Sequence, residues 1–430
     1  MQYQVAVRRK RAEGKAEGET PALEYIFHPR SIVIIGASPN PRSQSNMYIR
    51  EFRKFGFKGE VYLVNPGYKE ILGMPVYPTL SDVPGYVDHV ISCVPAALVP
   101  PLVKECIAKR VRVLHLYTGR MAEAGLADKR KMQEDVVAEA RAAGIRVIGP
   151  NCMGLYYAPE GLTFRHSLPM EPGKLGFMSQ SGGNCADLVY KGCGRGLRFS
   201  KIISYGNASD LNESDFLEYF MEDPETEVIG AYIEGVRDGR RFFNLAREAA
   251  RRKPLIILKG GRTDAGKRAV SSHTASLAGV DAVWDAFCRQ IGALRVSSMD
   301  ELTDMMVAYS FMRPPAGNRT AAMGGGGGIG VSSADSLERA GLQVPPLPPE
   351  IVESLKKMVP EVWSMFGNPV DFSILGAGGA VFDICKMVAS HPMYDMLIGN
   401  LGPEWALDEP AGAEWVKLSI DTFIEVRKVS

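Results

Sequence analysis

Residues 31–41, S-I-V-I-I-G-A-S-P-N-P, decide the fold of the first part of this chain. The run Ile32–Ile35 is continuously β-branched and ends in the small residues Gly36, Ala37 and Ser38. Four similar runs follow, with helical stretches such as Val99–Arg110 and Lys129–Ala143 between them: Val61–Val64, Asp88–Val94, Val111–Leu116 and Ile145–Ile148. Apolar strands that alternate with helices predict a parallel sheet covered on both faces. We therefore predict an α/β, doubly wound, Rossmann-like domain over residues 25–155.

Composition narrows the class of protein. The 430 residues carry 50 Lys+Arg against 49 Asp+Glu and are 46% hydrophobic, which predicts buried cores and disfavours a nucleic-acid binder. No apolar run is long enough for a membrane span and no apolar signal region opens the chain, so we expect a cytoplasmic protein behind a flexible tail over residues 1–24. Seven cysteines without CxxC spacing predict reduced thiols and no metal site.

The strand ends of the first domain carry unusual residues. Four of them read I-I-G-A-S-P-N-P, V-N-P, C-V-P-A and I-G-P-N-C-M-G. Ligands of doubly wound folds bind at this edge, and Gly36 to Ser38 would let the backbone approach a diphosphate, with a helix N-terminus following. However, G-x-G-x-x-G is absent, and Asn65-Pro66 stands where a dinucleotide enzyme has an acid. A nicotinamide dehydrogenase is therefore disfavoured; ordinary turns are the alternative interpretation.

A second α/β block is predicted over residues 156–313. The strand Leu175–Met178 enters Ser179-Gln180-Ser181-Gly182-Gly183, the candidate phosphate turn, and then a helix with Ala186, Val189 and Tyr190 on one face. A small hydroxylic turn between a strand and a helix N-terminus favours phosphoryl binding. The strand Glu227–Ile233 ends at Glu234. This acid can orient an imidazole for attack on phosphorus, or it can simply be solvated in a turn.

One histidine stands in a polar, small-residue segment of the same block. The sequence of Lys267–Gly279 is K-R-A-V-S-S-H-T-A-S-L-A-G and contains His273. It lies between a predicted strand, Leu255–Gly261, and a predicted helix bearing Val283, Phe287 and Ile291. We predict a long loop presenting one imidazole; a surface histidine without function is the alternative.

A third block is predicted over residues 314–430, after the linker-like Arg313–Gly317. A strand at Thr320–Met323 enters five glycines, Gly324–Gly328, but no Gly-Lys-Ser/Thr follows, so a P-loop is excluded. A second strand is predicted at Met396–Gly402. The chain stops where another strand is expected, so we expect this domain to be incomplete.

Seven stretches together resemble a known family. The chain resembles the α subunit of nucleoside-diphosphate-forming acyl-CoA synthetases of the ADP-forming acetate–CoA ligase type, relatives of succinyl-CoA synthetase. The matching stretches are I-I-G-A-S-P-N-P, V-N-P-G-Y-K-E-I-L-G, I-G-P-N-C-M-G, M-S-Q-S-G-G, A-Y-I-E-G-V-R-D-G-R, S-S-H-T-A-S-L-A-G and G-N-P-V-D. The resemblance implies a CoA-binding Rossmann-like domain followed by two flavodoxin-like ligase domains.

The resemblance also implies the residue roles. His273 would be phosphorylated in turnover, Glu234 would orient it, and Ser179, Gln180, Ser181, Gly182 and Gly183 would hold the phosphoryl group. Three segments would line the CoA site, and we call them the candidate CoA turns: Gly36-Ala37-Ser38, Asn65-Pro66 and Val94-Pro95. Acyl-CoA and phosphate would give an acyl phosphate, and His273 would carry the phosphoryl group to ADP. An ATP-grasp β subunit would bind ADP or ATP with Mg²⁺, so a hetero-oligomer is implied.

The chain departs from the family pattern at three places. Ala275 replaces the usual glycine after the His-Thr pair, and Tyr117–Arg120 replaces an S-A-G-F type turn. The serine-glycine turn continues with Gly183-Asn184 instead of the more usual small apolar pair. The acyl group of the substrate is therefore left open. The sequence also leaves open whether the nucleotide is ADP or GDP and which direction of the reaction is preferred. Two alternative functions remain: a non-catalytic CoA- or nucleotide-binding regulatory module, and a CoA-dependent acyltransferase or lyase-like relative that uses no ATP.

Overall fold

The computed structural model describes residues 23–274, 280–360, 366–371, 380–400, 407–408, 410 and 412–429. The chain divides into two compact units, Met1–Met312 and Arg313–Ser430. The predicted N-terminal tail lies outside the described residues, apart from its last two positions.

The first unit opens with a seven-stranded sheet. Its strands are β1 Ser31–Ile35, β2 Glu60–Val64, β3 Glu70–Ile71, β4 Met74–Tyr77, β5 His89–Ser92, β6 Val113–Leu116 and β7 Arg146–Ile148. Their order is β3-β4-β2-β1-β5-β6-β7, and all neighbours run parallel except the β3–β4 pair. The helices are α1 Gln44–Phe55, α2 Val99–Ala108 and α3 Ala127–Ala142. Ile32 and Ile34 of β1 belong to one buried core, and Val33 and Ile35 to another. Both faces of the sheet are therefore covered, as the continuous apolar run predicts.

A second sheet of six strands follows in the same unit. Its strands are β8 Gly154–Tyr156, β9 Leu175–Ser179, β10 Phe199–Ser204, β11 Val228–Ile233, β12 Leu255–Lys259 and β13 Leu294–Val296. The order is β13-β12-β11-β9-β10-β8, with β8 antiparallel to β10. The five parallel strands thus follow the flavodoxin-like order. The helices are α4 Gly182–Cys193, α5 Glu213–Glu222, α6 Gly239–Arg252, α7 Asp264–Thr274, α8 Asp281–Ile291 and α9 Met299–Phe311.

The segment before His273 is helical, so the prediction of a loop from Lys267 onward is wrong over residues 267–274. Helix α7 begins at Asp264, and the Thr263 hydroxyl accepts a hydrogen bond from the Gly266 amide at 3.1 Å. A hydroxyl cap followed by an acid in the first turn is a helix start signal. The small residues that follow it suggested a loop, but they are compatible with a helix. Residues 275–279, including Ala275, lie outside the described residues.

The face predicted for α4 is also partly wrong. Tyr190 is 79% exposed, and Ala186 is only partly buried. The buried face consists of Cys185, Leu188, Val189 and Gly192. The buried face of α4 is therefore rotated about the helix axis relative to the face that the sequence pattern predicts.

The second unit contains a small parallel sheet. Its elements are β14 Thr320–Gly324, α10 Gly327–Arg339, α11 Pro349–Met358, α12 Ala380–Ala389, β15 Met396–Asn400 and α13 Gly412–Val429. β14 pairs with β15, and an isolated bridge joins Met323 to Val370. Its core includes Ala321, Met323 and Ile384. Within the described part of the chain, no helix has the length and apolar character that crossing a membrane requires.

Candidate functional site

The three candidate CoA turns lie side by side because β2, β1 and β5 are neighbours in one parallel sheet. The Asn65 side-chain amide donates to the Ala37 carbonyl at 2.8 Å. The Gly36 amide donates to the Val64 carbonyl at 2.9 Å. Sequence reasoning named these residues from separate strand ends, and the sheet brings them together.

Gly36 cannot be replaced without strain. Its φ is +80°, and a Cβ built there would lie 2.9 Å from Cγ1 of Val94. Only glycine adopts this conformation freely and leaves the space that a close neighbour needs. The turn therefore requires glycine at the edge where a doubly wound fold binds its ligand.

The helix that follows the first turn is capped by its own side chains. Helix α1 begins at Gln44, and the Ser43 hydroxyl already accepts from the Asn46 amide at 3.2 Å. The Ser38 hydroxyl accepts from the Asn40 amide at 3.2 Å. Donors near this turn are therefore used locally, and the Asn65 side chain holds the turn through the Ala37 carbonyl and the Gly67 amide.

The candidate phosphate turn joins β9 to α4. The Ser181 hydroxyl caps α4 by accepting from the Asn184 amide at 3.3 Å, and the Ser179 hydroxyl donates to the Ser181 carbonyl at 2.7 Å. The turn is thus held by its own serines, with the amides of Gly182 and Gly183 at the start of the helix. Such a helix start attracts anions.

Gln180 ties this turn to the acid at the end of β11. Its side-chain oxygen accepts the amides of Glu234, at 2.5 Å, and of Gly235, at 3.0 Å. β9 and β11 are neighbouring parallel strands, so their carboxyl ends meet. The fold therefore brings the candidate phosphate turn and Glu234 together. The sequence could not show this proximity, because the two motifs are separate along the chain.

Glu234 is buried, and several groups hold it. The Tyr232 hydroxyl donates to its Oε1 at 3.2 Å, and Lys259 Nζ donates to its backbone carbonyl at 2.7 Å. Glu234 is only 3% exposed, so the alternative of a solvated acid in a turn is not supported.

Lys259 is a component that sequence reasoning missed. It is the last residue of β12 and is buried, and burial lowers the pKa of its ammonium group to about 8. Nζ also donates to the Gly260 carbonyl and lies 5.5 Å from the centre of the Trp284 ring. The signal in the sequence was a lysine ending an otherwise apolar strand, L-I-I-L-K.

The carboxyl edges of the two sheets approach each other near Met153. A Cβ built on Gly182 would lie 2.7 Å from Cγ of Met153, and the Met153 amide donates to the Ser204 hydroxyl at 3.0 Å. Gly206 packs equally tightly, because a Cβ there would lie 2.2 Å from the Pro150 carbonyl oxygen. The stretch I-G-P-N-C-M-G therefore takes part in the contact between the two domains and also forms a strand end.

His273 lies in the last turn of α7, where the backbone is helical. Its side chain lies outside what the structure describes, so the pairing of His273 with Glu234 stays a prediction. Among the described residues, no group of three or more histidine, cysteine or acidic side chains is arranged to hold a metal ion.

Comparison with known proteins agrees with this architecture. Residues 30–158 match the model of a CoA binding domain, and residues 172–309 match that of a succinyl-CoA ligase like flavodoxin domain. A CoA-binding domain joined to a ligase domain of this kind defines an acid–thiol ligase.

Individual relatives agree with this class. The chain is 36% identical to the α subunit of ADP-forming acetate–CoA ligase II from Pyrococcus furiosus, over 87% of this chain and 81% of that subunit. It is 39% identical to ADP-forming acetate–CoA ligase I from Archaeoglobus fulgidus, over 92% of this chain and 57% of that protein. The acetyl-coenzyme A synthetase 1 of Ca. Korarchaeum cryptofilum, solved with phosphate and ADP, superimposes with a TM-score of 0.79 at 32% identity, over 95% of this chain and 87% of that chain.

The chain belongs to the family of ADP-forming acetate–CoA ligases, in which it corresponds to the α subunit. The predicted resemblance and α/β fold are therefore confirmed, and a catalytic interpretation is favoured over the regulatory one. The chain spans 81% of the P. furiosus α subunit and little more than half, 57%, of the A. fulgidus protein.

Proposed function

We propose that this chain is the CoA-binding, phosphohistidine-bearing half of an ADP-forming acyl-CoA synthetase. The enzyme would interconvert acyl-CoA, ADP and phosphate with free acid, CoA and ATP. Phosphate would attack the thioester to give an acyl phosphate and CoA. His273 would then take the phosphoryl group and transfer it to ADP.

One observation carries this proposal: Gln180 binds the Glu234 and Gly235 amides and so joins the candidate phosphate turn to a buried acid. A phosphoryl group at Ser179–Gly183 would lie near the start of α4, whose positive end favours it. Glu234 would fix one nitrogen of the His273 imidazole so that the other faces phosphorus. Phosphoryl transfer needs this kind of positioning and charge neutralisation more than covalent help.

The candidate CoA turns would hold the other substrate. Gly36-Ala37-Ser38, Asn65-Pro66 and Val94-Pro95 form a continuous edge, and the CoA-binding model spans all three. The absence of a side chain at Gly36 would let the diphosphate of CoA approach the backbone closely. We further propose domain boundaries at 25–155, 156–313 and 314–430.

The nucleotide would come from a second protein. We propose an ATP-grasp β subunit that carries ADP or ATP with Mg²⁺, giving a hetero-oligomer. We also propose a cytoplasmic location, because the seven cysteines, which all lie in the described part of the chain, are free thiols.

Labelling of His273 tests the proposal. The chain and its partner subunit are incubated with acetyl-CoA and radiolabelled inorganic phosphate, and protein-bound label is measured. We expect acid-labile, base-stable label in the wild type, none in His273→Ala and less in Glu234→Gln. The exposed His166 supplies the matched control, since His166→Ala should retain full label.

Two results would contradict the proposal. Label that persists in His273→Ala would place the phosphoryl group on another residue. Absence of label in the wild type, with CoA still bound, would favour the non-catalytic binding module.

A further inference from the structure

A buried carboxylate oxygen without a donor lies at the carboxyl edge of the first sheet. Glu123 follows β6 in the short 3-10 turn Ala122–Ala124. Its Oε2 accepts from the Asn207 side-chain amide at 2.6 Å, whereas its Oε1 is buried and has no hydrogen-bond partner among the described residues. Leaving such an oxygen unpaired costs folding free energy, so native proteins rarely do it without a reason.

A second unpaired acceptor belongs to Asn207 itself. The Asn207 nitrogen donates both to Glu123 Oε2 and to Gln133 Oε1, the latter at 3.1 Å. Because both partners accept, the amide orientation is determined, and Asn207 Oδ1 is left buried with no partner within the described chain. The pair of Glu123 and Asn207 thus has two buried acceptor oxygens without a donor among the described residues. A group that binds these oxygens must therefore donate a hydrogen bond or a proton.

The position of Glu123 Oε1 indicates which donor. A Cβ built on Gly119 would lie 3.3 Å from Glu123 Oε1 and 3.4 Å from Asn151 Oδ1. On one side, Thr118 donates to the Val94 carbonyl at 2.8 Å, within a candidate CoA turn. On the other side, Asn151 stands two residues before Met153, which contacts Gly182 of the candidate phosphate turn. The unpaired oxygen therefore lies beside Gly119, whose neighbour Thr118 is hydrogen-bonded to a candidate CoA turn.

We propose that Glu123 Oε1 accepts the thiol proton of CoA. The inference rests on the proposed function, because it requires CoA to react with an acyl phosphate at this edge. The proton passes from sulfur to Glu123 Oε1 and the sulfur attacks the acyl carbon. The C–S bond forms, the C–O bond to phosphate breaks, and phosphate leaves with the electron pair. In reverse, phosphate attacks the thioester and Glu123 returns the proton. Asn207 is a positioning residue that holds the carboxylate through Oε2.

The charged groups around Glu123 do not perform this step. Arg130, Glu134 and Arg141 of α3 and Arg237 after β11 line a neighbouring cavity of about 260 Å³, together with Ala122 and Gln133. Arginines stay protonated throughout the physiological pH range. Arg237 is further engaged, since it donates to the carbonyls of Asn207 and Ala208. Glu134 is exposed on α3 and serves as the matched control.

The test uses the chain with its partner subunit and measures acetyl-CoA formation from acetyl phosphate and CoA, a step that needs no nucleotide. For Glu123→Gln we expect kcat at pH 7 to fall by about 10²–10⁴-fold, the usual contribution of a general base. The amide keeps the hydrogen bond from Asn207, so the KM for CoA should stay close to that of the wild type. Glu134→Gln should behave as the wild type.

The pH profile separates proton acceptance from a structural role. Without an acceptor the reaction depends on free thiolate, so the rate of Glu123→Gln should rise about tenfold per pH unit up to a thiol pKa of about 8.5. The wild type and Glu123→Asp, which keeps a carboxylate, should show a much shallower rise. Thermal unfolding of each variant verifies that it is folded.

Three outcomes would overturn the inference. The first is a wild-type rate and profile in Glu123→Gln, and the second is a raised KM for CoA with kcat unchanged at every pH. The third is a loss of activity in Glu123→Gln that is the same at every pH. Failure of the wild type to use acetyl phosphate, together with absence of label on His273, would instead overturn the proposed function itself.

Discussion

Two buried lysines of the second sheet differ in their partners. Lys201, inside β10, donates to Asp223 Oδ1 at 3.1 Å and to Glu225 Oε2 at 2.5 Å. Its ammonium also lies 4.6 Å from the centre of the Tyr157 ring and 5.6 Å from those of Phe27 and Tyr219. Among the described residues, Lys259, at the end of β12, donates to the backbone carbonyls of Glu234 and Gly260.

The difference follows from position along the strands. Lys201 lies within its strand, away from the carboxyl edge, and its charge is balanced by carboxylates and aromatic faces, which is what a structural ion needs. Lys259 lies at the carboxyl edge, where ligands bind, and burial lowers its pKa to about 8. A buried lysine whose pKa is lowered in this way at a ligand-binding edge is typical of a functional site. We therefore expect Lys201 to act on stability and Lys259 on activity.

The largest expected effect comes from Lys201→Met. Removing one member of a buried ion pair leaves Asp223, itself 1% exposed, without its cation and costs about 3–5 kcal/mol of unfolding free energy. Urea unfolding of the variant measures this loss. The activity of the folded fraction should remain that of the wild type.

The double variant Lys201→Met/Asp223→Asn sharpens this test. Asparagine removes the uncompensated charge, so the double variant should be more stable than Lys201→Met alone. Equal stability of the two variants would show that the ion pair is not what stabilises this region.

A smaller effect is expected for Lys259→Met. Loss of the donor to the Glu234 carbonyl releases the strand end that carries the acid, and displacement of such a group costs about a hundredfold in rate. Phosphohistidine formation from acetyl-CoA and phosphate is the measurement. Lys259→Met should lose less stability than Lys201→Met, and the opposite ranking would remove the distinction between the two lysines.

The smallest effect is a pH dependence of stability. The ordinary pKa of lysine is about 10.4, and in the folded chain burial lowers that of Lys259 to about 8. Between these values the unfolded chain binds a proton that the folded chain has released. The unfolding free energy of the wild type should therefore rise with pH, relative to Lys259→Met, by up to about 1.4 kcal/mol per unit.

Urea unfolding of both proteins from pH 7 to pH 10 measures this difference. Lys253, whose pKa burial also lowers to about 8, is present in both proteins and cancels. A difference that does not change with pH would mean that Lys259 stays charged over the whole range.

Most of the fold could be predicted from the sequence. The run at residues 31–35 matches β1, and the apolar run at 175–178 falls one residue short of β9. The two errors, the loop predicted from Lys267 and the buried face predicted for α4, concern helices whose hydrophobic pattern is weak. His273 lies in a helix because Thr263 and Asp264 start one upstream, and Tyr190 is exposed because α4 buries Cys185 and Leu188. Both outcomes depend on the neighbouring elements.

The candidate site was predictable only in part. Gly36 and Ser179 stand directly after or at the end of recognisable strands, so their location at a ligand-binding edge followed from sequence. Lys259, Asn207 and Glu123 were not named. Each depends on a partner far along the chain, for example the 84-residue separation between Glu123 and Asn207. Local patterns contain no information about such a pairing.

The sequence by itself determined the strands, the doubly wound first domain, the ligase-type turns and the family. These are properties of local hydrophobic periodicity and of short motifs, and each is readable within about a dozen residues. Only the tertiary structure decided that Gln180 binds the Glu234 amide, that Lys259 is buried beneath the same acid, and that Glu123 has a buried oxygen with no partner among the described residues. Burial and hydrogen-bond satisfaction belong to the packed chain, because the groups that exclude water from a side chain come from distant segments.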